Sequence, residues 1–202
     1  MEKFFGILSA LIVLASYPPY IIRIWQRKIV PNLSSWTIFT LVSFALCLSS
    51  YSSSGAGANS WVTLGPLVGC SAILIVGFFR SNEKSLTRFD IVCLILGIAS
   101  IIFWFFTKQS RDMVQFALYT GILADFMGLL PSIRFLKKNP DKDRPFLWII
   151  FSFGYLLSMF TIKDNTLANW FLPSFMVLAP ALVWFHLVKY RIKNKIPIKE
   201  WI

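Results

Sequence analysis

Charge is scarce in this sequence. Only 14% of its 202 residues are charged, and Asp and Glu together number nine. Soluble domains carry about 25% charged residues, whereas this chain is 56% apolar and has a mean hydropathy of +0.66. The composition therefore excludes an ordinary soluble globular domain. Intrinsic disorder is excluded as well, because 20 Phe and 8 Trp are too many for a chain that buries no surface. An integral membrane protein is the class that remains.

Cysteine and histidine are also rare. The three cysteines, Cys47, Cys70 and Cys93, lie in apolar runs without CxxC spacing, and three thiols cannot make a fully paired disulfide framework. We expect them to be small packing residues. A single histidine cannot assemble a His-based zinc site. The sequence also shows no nucleophile with its base, phosphate-binding loop or carboxylate pair. We therefore expect no metal, no cofactor and no enzyme.

Long apolar runs dominate what is present. A membrane helix needs about 20 mostly apolar residues to cross a hydrocarbon core of about 30 Å. Seven stretches meet or nearly meet this length, at approximately 4–25, 35–54, 60–80, 89–107, 114–136, 146–162 and 168–188. Their connections are short and hold nearly all the charge. The sequence therefore predicts an all-α integral membrane protein with seven transmembrane helices.

The basic residues divide unequally between the two sides of this layout. Sixteen of the 20 Lys and Arg residues fall in the first, third and fifth connections, the helix ends beside them and the C-terminal tail, and four fall on the other side. Short loops rich in Lys and Arg stay in the cytosol. We therefore expect the N-terminus outside and the C-terminus in the cytosol, of a membrane that the sequence does not name. The net charge of +11 then serves to orient the chain in the membrane. We expect the basic residues to attract lipid headgroups rather than nucleic acid.

An internal repeat relates the two halves of the chain. Placing Pro19 on Pro131 aligns 19–39 with 131–151 without a gap. This offset of 112 pairs four more identical residues: Ile21 with Ile133, Trp36 with Trp148, Ile38 with Ile150 and Phe39 with Phe151. Each half has an apolar helix with a proline near its inner end, then a basic loop, then a Trp opening the next helix. Helices 1–3 therefore match helices 5–7 as a parallel repeat, and helix 4 is a connector.

This 3+1+3 pattern resembles the PQ-loop superfamily, which includes the SWEET sugar transporters, lysosomal amino-acid exporters and the KDEL receptors. Pro19-Tyr20 and Pro131-Ser132 stand where that family has Pro-Gln. The resemblance implies two three-helix bundles around a central solute path, and the same N-out, C-in topology. The corresponding division is a first bundle over 1–88, a linker helix over 89–107, a second bundle over 108–191 and a basic cytosolic tail over 192–202.

Asp125 is the most informative single residue. It lies near the middle of the fifth span, where a charged Asp costs about 2.5–3.5 kcal/mol. No Lys or Arg lies at the same depth in another span, so an internal ion pair is not available. We interpret Asp125 as a proton-coupling or substrate-binding carboxylate. The alternative is a neutral Asp that hydrogen-bonds a neighbouring helix.

Other polar residues at mid-depth would line a path with Asp125, although each alone is also typical of packing between membrane helices. They are Tyr17, Ser43, Cys70, Ser71, Tyr155, Ser158 and Ser174. Pro19 and Pro131 are candidate hinges for cytosolic opening, or else static kinks, because proline removes a helical hydrogen bond.

The outer ends of helices 3 and 7 hold a candidate gate. SWEET transporters use an asparagine on each of these helices near mid-depth, and the nearest asparagines here, Asn59 and Asn169, lie at the outer ends beside Trp61 and Trp170. A Trp opens helices 2, 3, 6 and 7. The main interpretation of these four Trp residues is an interfacial belt, with a gate role for the outer pair as the alternative.

Together these features predict a transporter for a small polar solute, such as a sugar, an amino acid or a vitamin-like molecule. The two bundles would rock about a midplane site in alternating access, with or without proton coupling. A receptor or cargo-binding protein on the same scaffold is the alternative, as the KDEL receptors are, and a membrane enzyme with its site in the loops is a third. The expected partners are the solute and the bilayer, and a homo-oligomer is compatible with both.

Overall fold

The structure is a computed structural model. It describes the backbone of residues 2–54, 58–80, 87–107, 114–162 and 167–202. Within these ranges it describes all side chains except those at 2–3, 46, 48–54, 58–63, 104, 107, 114–118 and 167–169.

Seven α-helices account for most of the described chain, and no β-strand occurs in it. The helices are α1 (Glu2–Trp25), α2 (Leu33–Ser54), α3 (Ala58–Arg80), α4 (Arg88–Thr107), α5 (Val114–Lys138), α6 (Pro145–Ser158) and α7 (Leu167–Lys193). Short 3-10 turns cover Pro140–Lys142, Met159–Thr161 and Ile198–Glu200. The expected all-α class is therefore confirmed, and each predicted stretch corresponds to one helix.

Local capping fixes where α2 and α4 begin. Asn32 Oδ1 accepts a hydrogen bond from Ser35 N–H at 3.1 Å, which satisfies a free amide in the first turn of α2. At α4, the Thr87 hydroxyl oxygen accepts from Asp90 N–H, and Asp90 Oδ2 accepts from Thr87 N–H at 2.9 Å. This reciprocal pair is a capping box. Both helices thus start at residues whose side chains replace the missing backbone partners.

The sixth helix ends earlier than the predicted stretch 146–162. It stops at Ser158, whose hydroxyl donates to the Tyr155 carbonyl oxygen at 2.7 Å. Thr161 makes the same kind of bond to the Ser158 carbonyl oxygen, also at 2.7 Å. Short hydroxyl side chains that bond nearby carbonyls compete with the helical ladder. The chain therefore tightens into the 3-10 turn Met159–Thr161.

Six helices form a closed ring. Going around it, the order is α1, α3, α2, α5, α7 and α6, and α6 packs back against α1. Helix α4 lies outside the ring, against α2 and α5. The largest buried cluster takes residues from every ring helix, among them Tyr17, Trp36, Cys70, Leu129 and Trp148. The centre of the ring is therefore where the packed interior of the molecule lies.

The outer surface of the helices is apolar. Phe79 on α3 is 73% exposed and Phe106 on α4 is 76% exposed, and Phe185 on α7 is also exposed. Within the part of the chain that the structure describes, two helices are long and apolar enough to cross a membrane, over Phe4–Trp25 and Trp170–Lys193. An apolar surface of this kind indicates contact with something other than water.

Helices α1 and α6 approach each other at Gly154. A Cβ atom there would lie 2.5 Å from Val13 Cγ2 and 3.3 Å from the Ser9 carbonyl oxygen. The Ser9 hydroxyl donates to the Gly154 carbonyl oxygen at 2.8 Å. Only glycine leaves room for this contact, because the side chains of both helices already fill the space.

We predict that Gly154→Ala lowers the thermal midpoint of the purified protein, because the added methyl must push α6 away from α1. Gly6→Ala is the matched control on α1, since its Cβ would meet only Thr161 Cγ2, at 3.8 Å. Alanine favours a helix over glycine by about 1 kcal/mol, so the control should be neutral or stabilising. Equal midpoints for the two variants would contradict the close α1–α6 contact.

Candidate functional site

A cavity of about 240 Å³ lies at the centre of the ring. All six ring helices contribute to its wall. The lining residues are Tyr17 on α1; Trp36, Phe39, Val42 and Ser43 on α2; Pro66 and Cys70 on α3; Asp125 and Leu129 on α5; Leu147, Trp148, Phe151 and Tyr155 on α6; and Leu172, Met176, Ala179 and Pro180 on α7. The cavity is thus enclosed by elements from both halves of the chain.

Asp125 places a carboxylate in the cavity wall, halfway along α5. Among the described residues, no side chain or backbone amide forms a hydrogen bond or ion pair with its oxygens. No neighbouring group therefore offsets the loss of water around the carboxylate. It lies within electrostatic range of the Tyr17 and Tyr155 hydroxyls and the Cys70 thiol. The lining residues include no Lys, Arg or His. The carboxylate therefore faces the cavity without a counter-charge from the described chain.

The structure gathers several of the predicted path residues at this cavity: Tyr17, Ser43, Cys70, Asp125 and Tyr155 all line it. The Tyr17 hydroxyl lies 3.9 Å from Cys70 Sγ, which joins α1 to α3.

The other three predicted path residues are placed elsewhere. Ser71 and Ser174 are half-buried outside the lining set. Ser158 is also outside it and bonds its own helix end. Ser71 follows Cys70 directly, and successive helical residues point about 100° apart, so only one of the two faces the cavity.

Aromatic rings form much of the cavity wall. Trp36 and Trp148 are only 3% and 4% exposed, and their ring centroids are 5.9 Å apart. The expectation of an interfacial position is therefore wrong for these two residues. They occupy equivalent positions in the repeat, and they meet at the centre of the ring, where the two halves come together. Identity at the 112 offset showed that the two Trp residues are equivalent in the repeat, but it did not predict that they are in contact.

A hydrogen-bond network lies next to the cavity, at the end of the ring that carries the α1–α2 and α5–α6 connections and the C-terminal segment. We call this end the basic end. Its centre is Asp143, which is 2% exposed. Asp143 Oδ2 accepts hydrogen bonds from the Tyr20 hydroxyl at 3.0 Å and from Trp148 Nε1–H at 3.2 Å. Because Trp148 also lines the cavity, the network and the cavity share a wall.

Arg191 reinforces the same network from α7. Its side chain is fully buried, and Nη2–H donates to the Asp143 carbonyl oxygen at 2.6 Å. Nη1–H donates to the Pro140 carbonyl oxygen at 3.3 Å. The sequence showed Arg191 only as one of many basic tail residues, and Asp143 stood unnoticed among basic neighbours. Nothing in the local pattern distinguished either residue from a solvated loop charge.

Further hydrogen bonds cross between the two halves at the basic end. Val30 N–H donates to the Lys142 carbonyl oxygen at 2.8 Å, and Ser132 N–H donates to Ser35 Oγ at 3.1 Å. Ser132 directly follows Pro131, where the helical ladder is interrupted. The α2 hydroxyl thus satisfies an amide beside the proline, as membrane helices commonly require.

The candidate hinges both lie inside continuous helices, Pro19 half-buried in α1 and Pro131 fully buried in α5. The hinge role stays a prediction. Of the candidate outer gate, the side chains of Asn59, Trp61 and Asn169 lie outside the described residues. Trp170 is 40% exposed in the first turn of α7.

Comparison with known proteins adds no relative. No family model matches the chain, and neither curated proteins nor solved structures gave a match. The function has therefore to follow from the residues of the cavity and of the basic end.

Burial raises the pKa of the Asp143 carboxyl from its ordinary 3.8 to about 6. A carboxyl that titrates higher in the folded protein stabilises the fold at low pH, and this contribution is lost as pH rises through the folded pKa. We therefore predict that the thermal midpoint of the protein falls between about pH 4 and pH 7. The full effect is on the order of 3 kcal/mol.

Asp143→Asn should flatten this fall, because an amide does not titrate and its oxygen still accepts from Tyr20 and Trp148. Asp141→Asn is the control, since Asp141 is an exposed carboxylate in the same connection. Thermal melts of the three proteins across the pH range make the comparison. Parallel pH profiles for the wild type and Asp143→Asn would refute the assignment.

Proposed function

We propose that this protein is a membrane transporter that carries a small solute through the centre of its helix ring by alternating access. The observation that carries this proposal is the central cavity, which is enclosed by six helices and holds a carboxylate without a partner among the described residues. An unpaired carboxylate in an apolar interior is costly. Proteins that keep such groups at membrane depth use them for ions, protons or substrates.

The apolar exterior supports a multi-pass position in the bilayer. Each helix exposes large apolar side chains, for example Leu11, Phe44, Phe79, Phe106, Leu123, Phe153 and Phe185 in order from α1 to α7. We propose that all seven helices cross the membrane, in addition to the two that meet the criterion of length and composition. The basic end then faces the cytosol, because its connections hold most of the Lys and Arg.

The order of helices in the ring supports two parallel three-helix bundles. Exchanging α1, α2 and α3 with α5, α6 and α7 leaves every neighbour relation in the ring unchanged. The α1–α6 contact then corresponds to the α2–α5 contact, and these are the two seams between the bundles. We propose that the chain has the PQ-loop-like 3+1+3 architecture, with bundles over 1–88 and 108–191 and α4 as the linker.

Opening toward the cytosol would require the basic-end contacts between the bundles to break. Among the described residues, hydrogen bonds cross there from Tyr20 to Asp143, from Ser132 to Ser35 and from Val30 to Lys142. Each contributes about 1 kcal/mol net, so a bound solute or proton can shift the balance between closed and open states. Pro19 and Pro131 immediately precede Tyr20 and Ser132, where a local change in helix direction would separate the bundles.

The native Cys70 allows access to the cavity to be tested without knowing the solute. It lines the cavity, whereas Cys47 and Cys93 do not. In a Cys47→Ser/Cys93→Ser background, we predict that a charged, impermeant thiol reagent labels Cys70 from the cytosolic side. A disulfide between Ser35→Cys and Ser132→Cys should abolish this labelling, because it locks α2 to α5, and reduction should restore it.

The label on Cys70 is measured by mass spectrometry of its peptide, in vesicles of known orientation. Ser35→Cys alone is the control, because it cannot form the crosslink. Labelling that is the same with the disulfide formed or reduced would contradict opening at the basic end.

The same labelling rate tests the hinges. We predict that Pro19→Ala and Pro131→Ala each slow cytosolic labelling of Cys70, because a restored helical hydrogen bond stiffens the segment that must bend. Pro173→Ala is the control, since Pro173 lies inside α7 but does not line the cavity. Wild-type rates in both hinge variants would reduce these prolines to static kinks.

A further inference from the structure

We infer that the central cavity binds small organic monocations, meaning amines or quaternary ammonium ions with an apolar body. Asp125 would supply the counter-charge, and the aromatic wall would surround the cationic group. Binding follows from the cavity itself, while transport of such a cation rests on the proposed function.

The charges of the cavity favour a cation over other solutes. Its described lining holds one carboxylate and no basic side chain. A bound monocation would neutralise Asp125, whereas an anion would be repelled by it. A zwitterion would gain one ion pair but leave its own negative group in an apolar space without a partner.

The polar groups of the cavity are too few for a polyhydroxylated solute. Apart from Asp125, the lining side chains that can form hydrogen bonds are the hydroxyls of Tyr17, Ser43 and Tyr155, the indole N–H groups of Trp36 and Trp148, and the weakly bonding thiol of Cys70. Trp148 already donates to Asp143, and Tyr17 lies beside the Cys70 thiol. A sugar would therefore bury several hydroxyls without partners, which is unfavourable.

The aromatic wall supplies the second half of a cation site. The rings form two contiguous groups that line the same cavity. The ring centroid of Trp36 lies 5.5 Å from that of Phe39 and 5.9 Å from that of Trp148. The ring centroids of Phe151 and Tyr155 are 4.9 Å apart. The faces of aromatic rings attract ammonium groups, and the attraction is strongest where water is excluded. Quaternary ammonium ions are typically bound by such groups of rings.

The cavity volume limits the size of the cation. A cavity of about 150 Å³ holds benzene, so about 240 Å³ holds a molecule of about ten non-hydrogen atoms at the same filling. Choline and benzyltrimethylammonium are suitable probes, because both are permanent monocations near this size. The alcohol 3,3-dimethylbutan-1-ol has the shape of choline with carbon in place of the charged nitrogen.

Binding is measured on the purified protein in detergent, by the thermal midpoint and by the fluorescence of the cavity tryptophans. We expect choline to bind at least about tenfold more tightly than 3,3-dimethylbutan-1-ol. Benzoate should show no binding. This comparison uses the wild type and needs no variant. Equal affinities for choline and its neutral isostere would overturn the inference.

Two variants locate the site. Asp125→Asn should weaken choline binding about tenfold or more and leave the neutral alcohol unaffected. Phe151→Leu should weaken choline binding several-fold, since the ring face is lost. Asp141→Asn and Phe185→Leu are the matched controls, because both residues are exposed and lie outside the cavity lining. An unchanged preference for choline in Asp125→Asn would overturn the assignment of the counter-charge.

Flux of radiolabelled choline into proteoliposomes separates this inference from the proposed function. Cation-selective binding without flux of choline or of any other solute would support the cation site and overturn transport. Uptake of a sugar or zwitterion by a protein without cation preference would support transport and overturn the cation site. Cation-selective binding together with choline flux that Asp125→Asn reduces would support both.

Discussion

The buried carboxylate of Asp143 accepts hydrogen bonds from Tyr20 on α1 and from Trp148 at the start of α6, and its backbone carbonyl oxygen accepts from Arg191 on α7. Through these bonds one connection between helices holds three elements of the ring. Trp148 is thereby fixed against Trp36, and the pair forms part of the cavity wall. The shape of the cavity thus depends on a polar group that does not itself line it. A buried charge is tolerated there because its oxygens have donors.

Two carboxylates of the interior, Asp143 and Asp125, illustrate a difference between support and function. Asp143 is surrounded by donors and holds neighbouring segments in place. Asp125 has no such partner among the described residues and faces the central cavity. A buried charge without hydrogen-bond partners destabilises the fold. Such a side chain is therefore a better candidate for ligand or proton chemistry than one that stabilises packing.

Hydropathy along the sequence predicted much of the fold but less of the candidate site. The seven apolar runs predicted the seven helices because a long apolar segment leaves few alternatives. The early end of α6 was missed, since it depends on hydroxyl contacts of Ser158 and Thr161.

Depth along a helix identified Asp125, but depth does not give the direction of a side chain, so Cys70 and Ser71 could not be separated. Trp36 and Trp148 were assigned to the membrane–water interface. Their burial could not be predicted, because it arises only where the two halves of the chain pack together. Asp143 could not be found at all, because Tyr20 and Arg191, which bury and bond it, come from distant segments.

The α1–α6 and α2–α5 seams occupy equivalent places in the ring but differ in chemistry. At the α1–α6 seam, Ser9 bonds the Gly154 carbonyl and Tyr20 bonds a titratable carboxylate. At the α2–α5 seam, the corresponding position after the proline is Ser132, whose amide bonds a neutral hydroxyl. Under the proposed alternating access, this difference gives the two seams different roles. The α2–α5 seam, held by a neutral hydrogen bond, is the one expected to part, while the α1–α6 seam acts as the hinge side of the ring.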